Sequence, residues 1–213
     1  MPETNRRNSS FGQQFARVGP RMDARGAADH RRRLVEAAHG TVVEIGAGYG
    51  ATFPFYPSAV SSVLALEPDP TLRALALAEA IQAPVPITVH NGVAESLPAA
   101  DESVDVVVCS LVLCSVADQS AVLTETLRVL RPGGLLLFYE HVRSAHFVLA
   151  AAEDLLTPLW SRMAGGCHPN RDTASVIAAA GLTLQNVERF GFSVLPGNPR
   201  VAHILGAAAK PPA

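Results

Sequence analysis

The chain has 213 residues, of which 48% are hydrophobic and 17% charged, and its formal net charge is -2. This length suits a single α/β domain with a full core. The near-neutral charge excludes a general attraction to nucleic acid or to an anionic membrane surface. The cysteines Cys109, Cys114 and Cys167 lack the short spacing of a zinc motif. Without a signal peptide they indicate reduced thiols in a cytoplasm and no metal site.

Residues 11–39 mix apolar and basic side chains at loose helical spacing, which predicts one or two helices interrupted at Gly19-Pro20 and at Gly26. We expect this N-terminal segment, 1–39, to lie over the active site. The basic run Arg31–Arg33 is not interleaved with aromatic residues. It therefore predicts a solvated helix face, with a site for a phosphate-bearing ligand as the alternative.

From residue 41 onward, apolar segments typical of strands alternate with helical ones. The apolar runs are continuous, which indicates strands buried on both faces and hence a parallel sheet with helices on each side. Helices are expected at 69–82 and 118–130. The predicted strands are 41–46, 62–67, 86–90, 104–110 and 134–140.

The pattern changes after residue 141. An Ala/Leu-rich segment, 144–164, precedes a glycine-containing loop at 165–170 that we expect to act as a lid, and a helix at 171–180 follows. Two last strands, at about 182–190 and 201–208 and joined by LPGNP, predict an antiparallel hairpin added to the sheet. We expect one domain, with a cofactor-binding core at 40–142 and the lid and hairpin at 143–213.

The stretch VVEIGAGYGATF (42–53) carries Gly46, Gly48 and Gly50 directly after a strand. Such a turn lets backbone N–H groups approach an anionic ligand. The spacing also fits a dinucleotide fingerprint, and Glu67 at the end of the next strand would accept ribose hydroxyls in either case. A P-loop is excluded because no Gly-Lys-Ser/Thr follows.

Three further features resemble class I S-adenosylmethionine-dependent methyltransferases. They are Glu44 two residues before the first glycine, the segment Asn91–Glu95 after the third strand, and LRVLRPGG at 127–134. The resemblance implies a Rossmann-like, seven-stranded, mostly parallel sheet with an antiparallel last strand and helices on both faces. It also implies S-adenosylmethionine as cofactor, with S-adenosylhomocysteine as product. The cofactor-binding residues that it implies are Glu44, Gly46, Ala47, Gly48, Gly50, Glu67, Pro68, Ala94, Glu95, Ser110, Leu111 and Cys114.

A closer resemblance is to the thiol methyltransferases of the methyltransferase-like group, which are membrane-anchored animal enzymes acting on small alkyl thiols. This sequence lacks their hydrophobic N-terminal anchor, so we expect a soluble protein. The resemblance implies methyl transfer to a small molecule, with a thiol of a secondary metabolite or xenobiotic as the expected acceptor. O- or N-methylation of a phenol, quinol or lipid amine is the alternative. The matching blocks are FYP (55–57), VDVVVCSLVLCSV (104–116), VLRPGG (129–134), EHV (140–142), Gly-Cys…Arg (166–171) and HILGAAAK (203–210).

The carboxyl ends of the strands should carry the chemistry. His141, after the fifth strand, is the first candidate for a base or acceptor-orienting group, and His168 is the second; each could instead be a hydrogen-bonded structural histidine. Cys114 is rejected as a covalent nucleophile, because direct transfer needs no enzyme intermediate. Candidate acceptor contacts, each with a structural role as its alternative, are Phe11, Phe15, Ser115, Trp160, Arg171 and His203. A nucleic-acid acceptor is disfavoured, because no Asn/Asp-Pro-Pro-Tyr/Phe motif follows the fourth strand.

Overall fold

The computed structural model describes residues 3–193 and 200–212, with side chains from residue 11 onward. The strands are β1 (Gly40–Ile45), β2 (Val60–Leu66), β3 (Ile87–His90), β4 (Val104–Ser110), β5 (Leu130–His141), β6 (Thr183–Phe192) and β7 (Val201–Ala209). The α-helices are α1 (Glu3–Met22), α2 (Ala28–Val35), α3 (Pro70–Ala80), α4 (Gln119–Val129), α5 (Phe147–Met163) and α6 (Thr173–Ala179). A π-helical turn, Asp23–Ala27, joins α1 to α2, and Phe53–Phe55 forms a short 3-10 helix.

The strands form one seven-stranded sheet in the order β3-β2-β1-β4-β5-β7-β6. Neighbours from β3 to β5 are parallel, whereas β7 runs antiparallel to both β5 and β6. The predicted fold, with its reversed last strand, is confirmed. The LPGNP connection between the last two strands lies outside the described residues.

The sheet separates two apolar clusters because successive side chains of a strand point to opposite faces. Val43 and Val107 belong to the cluster on one face, and Val42, Val106 and Val108 to the cluster on the other. Since β1 and β4 are buried on both faces, their sequences read as continuous apolar runs. This arrangement leaves the carboxyl ends of the central strands as the edge from which loops can reach a ligand.

Helix α1 runs through Gly19-Pro20, so the break predicted there was wrong. A Cβ on Gly19 would lie 2.2 Å from the ring of Tyr49, and one on Gly12 would lie 2.3 Å from Oδ1 of Asp69. The two glycines are two helical turns apart and share a face. They therefore allow α1 to pack closely on the carboxyl edge of the sheet. The predicted interruption at Gly26 is confirmed, with a φ of 119° inside the π-helical turn.

Helix α5 lies at the surface with much of its apolar side uncovered by described residues. Phe147 is 84% exposed and Leu155 80% exposed. Across residues 3–193 and 200–212, no helix combines the length and the apolar character that crossing a membrane requires.

Candidate active site

The glycine turn follows β1 in a backbone conformation that favours glycine. Gly46, Gly48 and Gly50 have φ values of 65°, 60° and 85°. A Cβ on Gly46 would lie 2.7 Å from Val112, so the turn packs directly against the loop after β4. Side chains at Gly46 and Gly50 are disfavoured both by the dihedral angles and by the neighbouring atoms, and a side chain at Gly48 is disfavoured by the dihedral angle.

Two buried carboxyl groups flank the turn. Glu44 is 1% exposed and accepts a 2.7 Å hydrogen bond from the hydroxyl of Tyr56. Glu67 is 5% exposed and accepts 2.8 Å hydrogen bonds from the backbone N–H groups of Gly48 and Asp69. Burial raises the pKa of each carboxyl group to about 7. A cationic ligand would favour ionisation of both, since an opposite charge stabilises a carboxylate.

A narrow cavity lies between the turn and α1, with an open volume of about 20 Å³. Ligand pockets for small molecules occupy roughly 300–1,000 Å³. Phe15 covers the turn, at 3.5 Å from the position of a Cβ on Gly48. The cavity is therefore smaller than a nucleoside-sized ligand needs, and Phe15 of α1 is one of the side chains that limit it. The cavity is lined by Phe15, Arg31, Glu44, Gly46, Ala47, Gly48, Tyr49, Ala51, Thr52 and Ser110.

Arg31 lines this cavity and is only 3% exposed, so its predicted place on a solvated helix face was wrong. It is spaced at helical intervals from Ala27 and Leu34, which are also buried, and this periodicity was the signal that could have located it. Arg31 forms an ion pair with Asp23, which also accepts a hydrogen bond from the hydroxyl of Tyr49. A guanidinium group is thus held beside the glycine turn.

The rest of the basic run behaves as predicted. The side chains of Arg32 and Arg33 are 60% and 47% exposed. They form surface ion pairs with Asp29 and Glu188. Such exposed pairs contribute little to stability.

Glu140 holds the loop that follows β4. It is fully buried, and its carboxyl group accepts backbone hydrogen bonds of 3.0, 2.9 and 3.0 Å from Val112, Leu113 and Cys114. The sequence analysis did not identify this residue as functional. The signal that could have identified it in the sequence is an acidic residue at the end of an otherwise apolar, buried strand.

Arg171 holds the same loop from the other side. Its Nη1 donates to the carbonyl oxygens of Leu113 at 2.7 Å and Val116 at 2.8 Å. The guanidinium group that was considered for an acidic acceptor is therefore directed at the protein backbone. Nη1 of Arg171 thus helps to hold the loop, and contact with an acceptor stays a prediction.

Cys114, His141 and Cys167 meet at the carboxyl edge of the sheet. Nδ1 of His141 lies 3.6 Å from Sγ of Cys114 and 3.2 Å from Sγ of Cys167. The hydrogen bond to Cys167 and burial raise the pKa of the Cys114 thiol to about 12, whereas the same hydrogen bond lowers the pKa of Cys167. Cys167 was not predicted as a site residue, because its partners come from segments distant along the chain.

An aromatic wall continues from His141 along β5, β6 and β7. The ring of His203 lies 4.4 Å from that of His141 and stacks on Tyr139 at 5.3 Å and on Phe190 at 5.7 Å, measured between centroids. Its Nδ1–H donates to the carbonyl of Val201 at 2.8 Å, since a carbonyl can only accept. Burial lowers the pKa of His203 to about 3, so the ring is neutral and Nε2 is an acceptor. Among the described residues, Nε2 of His203 has no hydrogen-bond partner.

Comparison with known proteins identifies the family. The methyltransferase domain model matches residues 43–138. Thiol S-methyltransferase TMT1B of Rattus norvegicus is 38% identical over 178 residues, which cover 80% of this chain and 70% of that protein. Thiol S-methyltransferase TMT1A of Homo sapiens is 35% identical over 177 residues, with the same coverage of 80% and 70%.

The chain belongs to the S-adenosylmethionine-dependent methyltransferase family that includes these enzymes. A putative methyltransferase from Bacillus halodurans shares the fold, with a TM-score of 0.71 at 17% identity over 85% of this chain and 98% of that one. The protein is a methyltransferase that uses S-adenosylmethionine, as the sequence analysis predicted.

The remaining predicted site residues of the methyltransferase differ in how closely they contact the residues described above. Phe11 stacks on Phe15, with centroids 5.6 Å apart, and contacts Gly165 of the predicted lid loop. Oγ of Ser115 lies 3.6 Å from Sγ of Cys114. Trp160 is 45% exposed on α5.

Other predicted site residues of the methyltransferase differ in burial and in hydrogen bonding. The backbone N–H of His168 donates to the carbonyl of Cys114 at 2.7 Å, and its Nδ1 is buried with no partner among the described residues. Oγ of Ser110 is likewise buried and unpaired there. Ala94 is 7% exposed, whereas Pro68 and Glu95 are exposed.

Proposed function

We propose that this methyltransferase transfers the methyl group of S-adenosylmethionine to a small thiol, such as one carried by a secondary metabolite or a xenobiotic. The observation that carries the proposal is the 38% identity to thiol S-methyltransferase TMT1B across 80% of this chain. The chemistry of the acceptor side agrees with it. That side is formed by an apolar loop, two thiols, two imidazoles and stacked aromatic rings, which suit a small and weakly polar acceptor.

The residues around the glycine turn fit the methionine end of the cofactor. Its ammonium and carboxylate groups need opposite charges nearby, and the cavity offers the buried Glu44 and Arg31. We infer that Glu44 faces the ammonium and that Arg31 binds the carboxylate together with backbone N–H groups of the turn. Glu67 at the end of β2 would accept the two ribose hydroxyl protons. When bound, the cofactor supplies an electrophilic methyl carbon on a sulfonium.

These positions support a division of the chain into three parts. We propose that 40–142 binds the cofactor, that 1–39 covers it through α1, and that 143–213 completes the acceptor side together with the loop 111–116 and His141. Phe11 and Phe15 on α1 lie against both the lid loop and the glycine turn. Closing α1 over a bound cofactor would exclude water from the reacting atoms.

The protein's contribution to the transfer is mainly positioning. Glu140 and Arg171 hold the loop 111–116 in place. Its apolar side chains can then line the space around the transferred methyl group. His141 would orient the acceptor or take up its proton. A thiol needs only modest help, because a few per cent is already thiolate near neutral pH.

O-methylation of a phenol or quinol is the second candidate. It is favoured by one observation, the buried and unpartnered Nε2 of His203, which could accept a hydrogen bond from an acceptor hydroxyl. For such an acceptor an obligatory base would carry a larger share of the catalysis.

An acceptor panel tests the proposal. Alkyl thiols, aryl thiols, phenols, quinols and amines are incubated with the protein and S-adenosylmethionine, and the products are identified by mass. We expect methyl thioethers to form fastest. Methylation confined to oxygen or nitrogen acceptors would contradict the proposal.

A further inference from the structure

The thiol–imidazole cluster has the dimensions of a metal site. The ligating atoms of Cys114, His141 and Cys167 all lie within 4.8 Å of one another. The two nitrogen–sulfur distances are 3.6 and 3.2 Å. A tetrahedral Zn²⁺ with Zn–N bonds of about 2.0–2.1 Å and Zn–S bonds of about 2.3 Å separates nitrogen from sulfur by about 3.5 Å. The three ligating atoms therefore need to move only a little to bind one ion.

We propose that Cys114, His141 and Cys167 bind Zn²⁺ and leave a fourth coordination position for a thiolate. Two thiolates and an imidazole are soft to intermediate ligands, which suit Zn²⁺ and disfavour Mg²⁺ or Ca²⁺. Three protein ligands with one open position are the pattern of catalytic zinc sites, whereas structural sites close all four. Among the described residues, Cys114, His141 and Cys167 are the group of cysteine, histidine or acidic side chains whose ligating atoms lie close enough together to bind one metal ion.

Strand pairing and backbone hydrogen bonds place the three ligands close together. Cys114 lies in the loop whose N–H groups bind Glu140, and His141 ends β5 in register with His203 of β7. Cys167 follows Gly165 and Gly166, whose φ values are 60° and 89°, and its N–H donates to the carbonyl of Ala164 at 3.1 Å. Preformed ligands reduce the ordering that metal binding must otherwise supply.

The charge balance suits a buried site. Cys114 and Cys167 are 0% and 4% exposed, so an isolated ion of either sign would be poorly solvated there. Zn²⁺ with two thiolates and a neutral imidazole has no net charge. Two thiol protons leave to solvent on binding, which makes metal affinity rise with pH.

A thiolate bound at the open position gives the metal a role in methyl transfer. That role rests on the proposed function. The acceptor thiol loses its proton to solvent and binds Zn²⁺ as a thiolate. A sulfur lone pair then forms the bond to the methyl carbon, while the bond from that carbon to the cofactor sulfur breaks and its electron pair stays on the cofactor sulfur. The neutral thioether product is a weaker ligand and leaves. Ser110 lines the cofactor cavity and Cys114 lies in the loop directly after it, so one short segment links the two sites.

Cobalt absorption tests the metal site without any methyl transfer. The full-length protein, stripped with a chelator and reduced with a phosphine, is titrated with Co²⁺ in the absence of S-adenosylmethionine. We expect one Co²⁺ per chain, a thiolate-to-cobalt charge-transfer band, and displacement of Co²⁺ by Zn²⁺. Adding ethanethiol should raise that band by about half, because the number of thiolates rises from two to three.

Variants separate the cluster from other thiols. Cys167→Ser and His141→Gln should weaken Co²⁺ binding by more than roughly 100-fold, since loss of even an outer-shell partner costs 10–100-fold. Cys109→Ala is the matched control, because Cys109 is a fully buried cysteine in β4 that is not one of the three clustered ligands. It should bind Co²⁺ as the wild type does.

The outcomes are distinct from those of the acceptor panel. Equal Co²⁺ affinity in wild type and Cys167→Ser, or no charge-transfer band in either, would overturn the metal site. A band that ethanethiol leaves unchanged would overturn the open position. If thiols prove not to be methylated, the Co²⁺ result still stands on its own, and a metal-free protein that methylates thiols would leave the proposed function intact.

Discussion

The glycine turn and its two acids, on the cofactor side of the site, come from a short stretch of chain, whereas the acceptor side is assembled from four distant ones. Glu44 lies in β1, Gly46 and Gly48 lie in the turn after it, and Glu67 directly follows β2. Cys114, His141, Cys167 and His203 follow β4, end β5, precede α6 and lie in β7. A local pattern can specify the first side. The acceptor side forms only when the sheet brings the strand ends together. Its residues can change with little change to the fold.

The largest expected effect is on the cofactor side. Gly48→Val should abolish binding of S-adenosylmethionine, because the residue has a φ of 60° and lies against Phe15. Gly133→Val is the matched control: its φ is 78°, and a Cβ there meets nothing within 4 Å. Both variants carry a backbone strain of roughly 1–3 kcal/mol. Calorimetry should show loss of binding only in the first, and unchanged affinity in Gly48→Val would remove the turn from the cofactor site.

The next effect concerns the ribose. Glu67→Ala should weaken cofactor binding by about 2–3 kcal/mol, the range for hydrogen bonds to a charged group in a buried position. Glu36→Ala, at an exposed position after α2, should leave affinity unchanged. Calorimetry of both variants makes the comparison. Reduced turnover with intact affinity in Glu67→Ala would contradict the ribose role.

On the acceptor side we expect a smaller effect. His141→Ala should lower the turnover of a thiol by about 10- to 100-fold, less than the roughly 10²–10⁴-fold expected for an obligatory base. Raising the pH should restore part of the loss by supplying thiolate. Steady-state rates with one alkyl thiol at several pH values provide the measurement. A rate equal to that of the wild type would leave His141 with a structural role only.

The smallest effect is a pH dependence on the cofactor side. Burial raises the pKa of Glu44 and of Glu67 from 4.5 to about 7 in the folded protein. Their contribution to stability is therefore complete below about pH 4.5 and is lost as the pH rises through about 7. Binding of the cationic cofactor favours the carboxylates, so its affinity should increase over the same window, with protons released on binding.

Glutamine variants and buffers of different ionisation enthalpy test that dependence. Glu44→Gln and Glu67→Gln should each flatten the rise in affinity and reduce the number of protons released. Calorimetry that shows no proton release near pH 6.5 in the wild type would be at odds with the raised pKa values.

The fold was predictable because its determinants are local and repeated. Continuous apolar runs such as Val106–Val108 reflect strands buried on both faces, and the order of elements then limits the topology. Gly19-Pro20 was misread because a local breaking signal was outweighed by a tertiary contact. The glycine is needed where α1 meets Tyr49, and the helix continues through it.

The site was predictable only where a strand end positions it. His141 ends β5 and Cys114 follows β4, so their place at the carboxyl edge could be inferred. Arg31 is in the site because α2 rotates it inward, and Cys167 because the loop before α6 folds back onto the loop after β4. The helical spacing of Ala27, Arg31 and Leu34 could have located Arg31, whereas no spacing along the chain encodes the contact of Cys167. The acceptor side of the site depends on such long-range contacts more than the cofactor side does.

The central claim is that the acceptor atom is sulfur. Turnover of a matched pair, thiophenol and phenol, measured with S-adenosylmethionine from about pH 6 to 10, tests it most directly. We expect the thiol to be methylated faster than the phenol at every pH. A phenol methylated faster than its thiol partner throughout this range would contradict it.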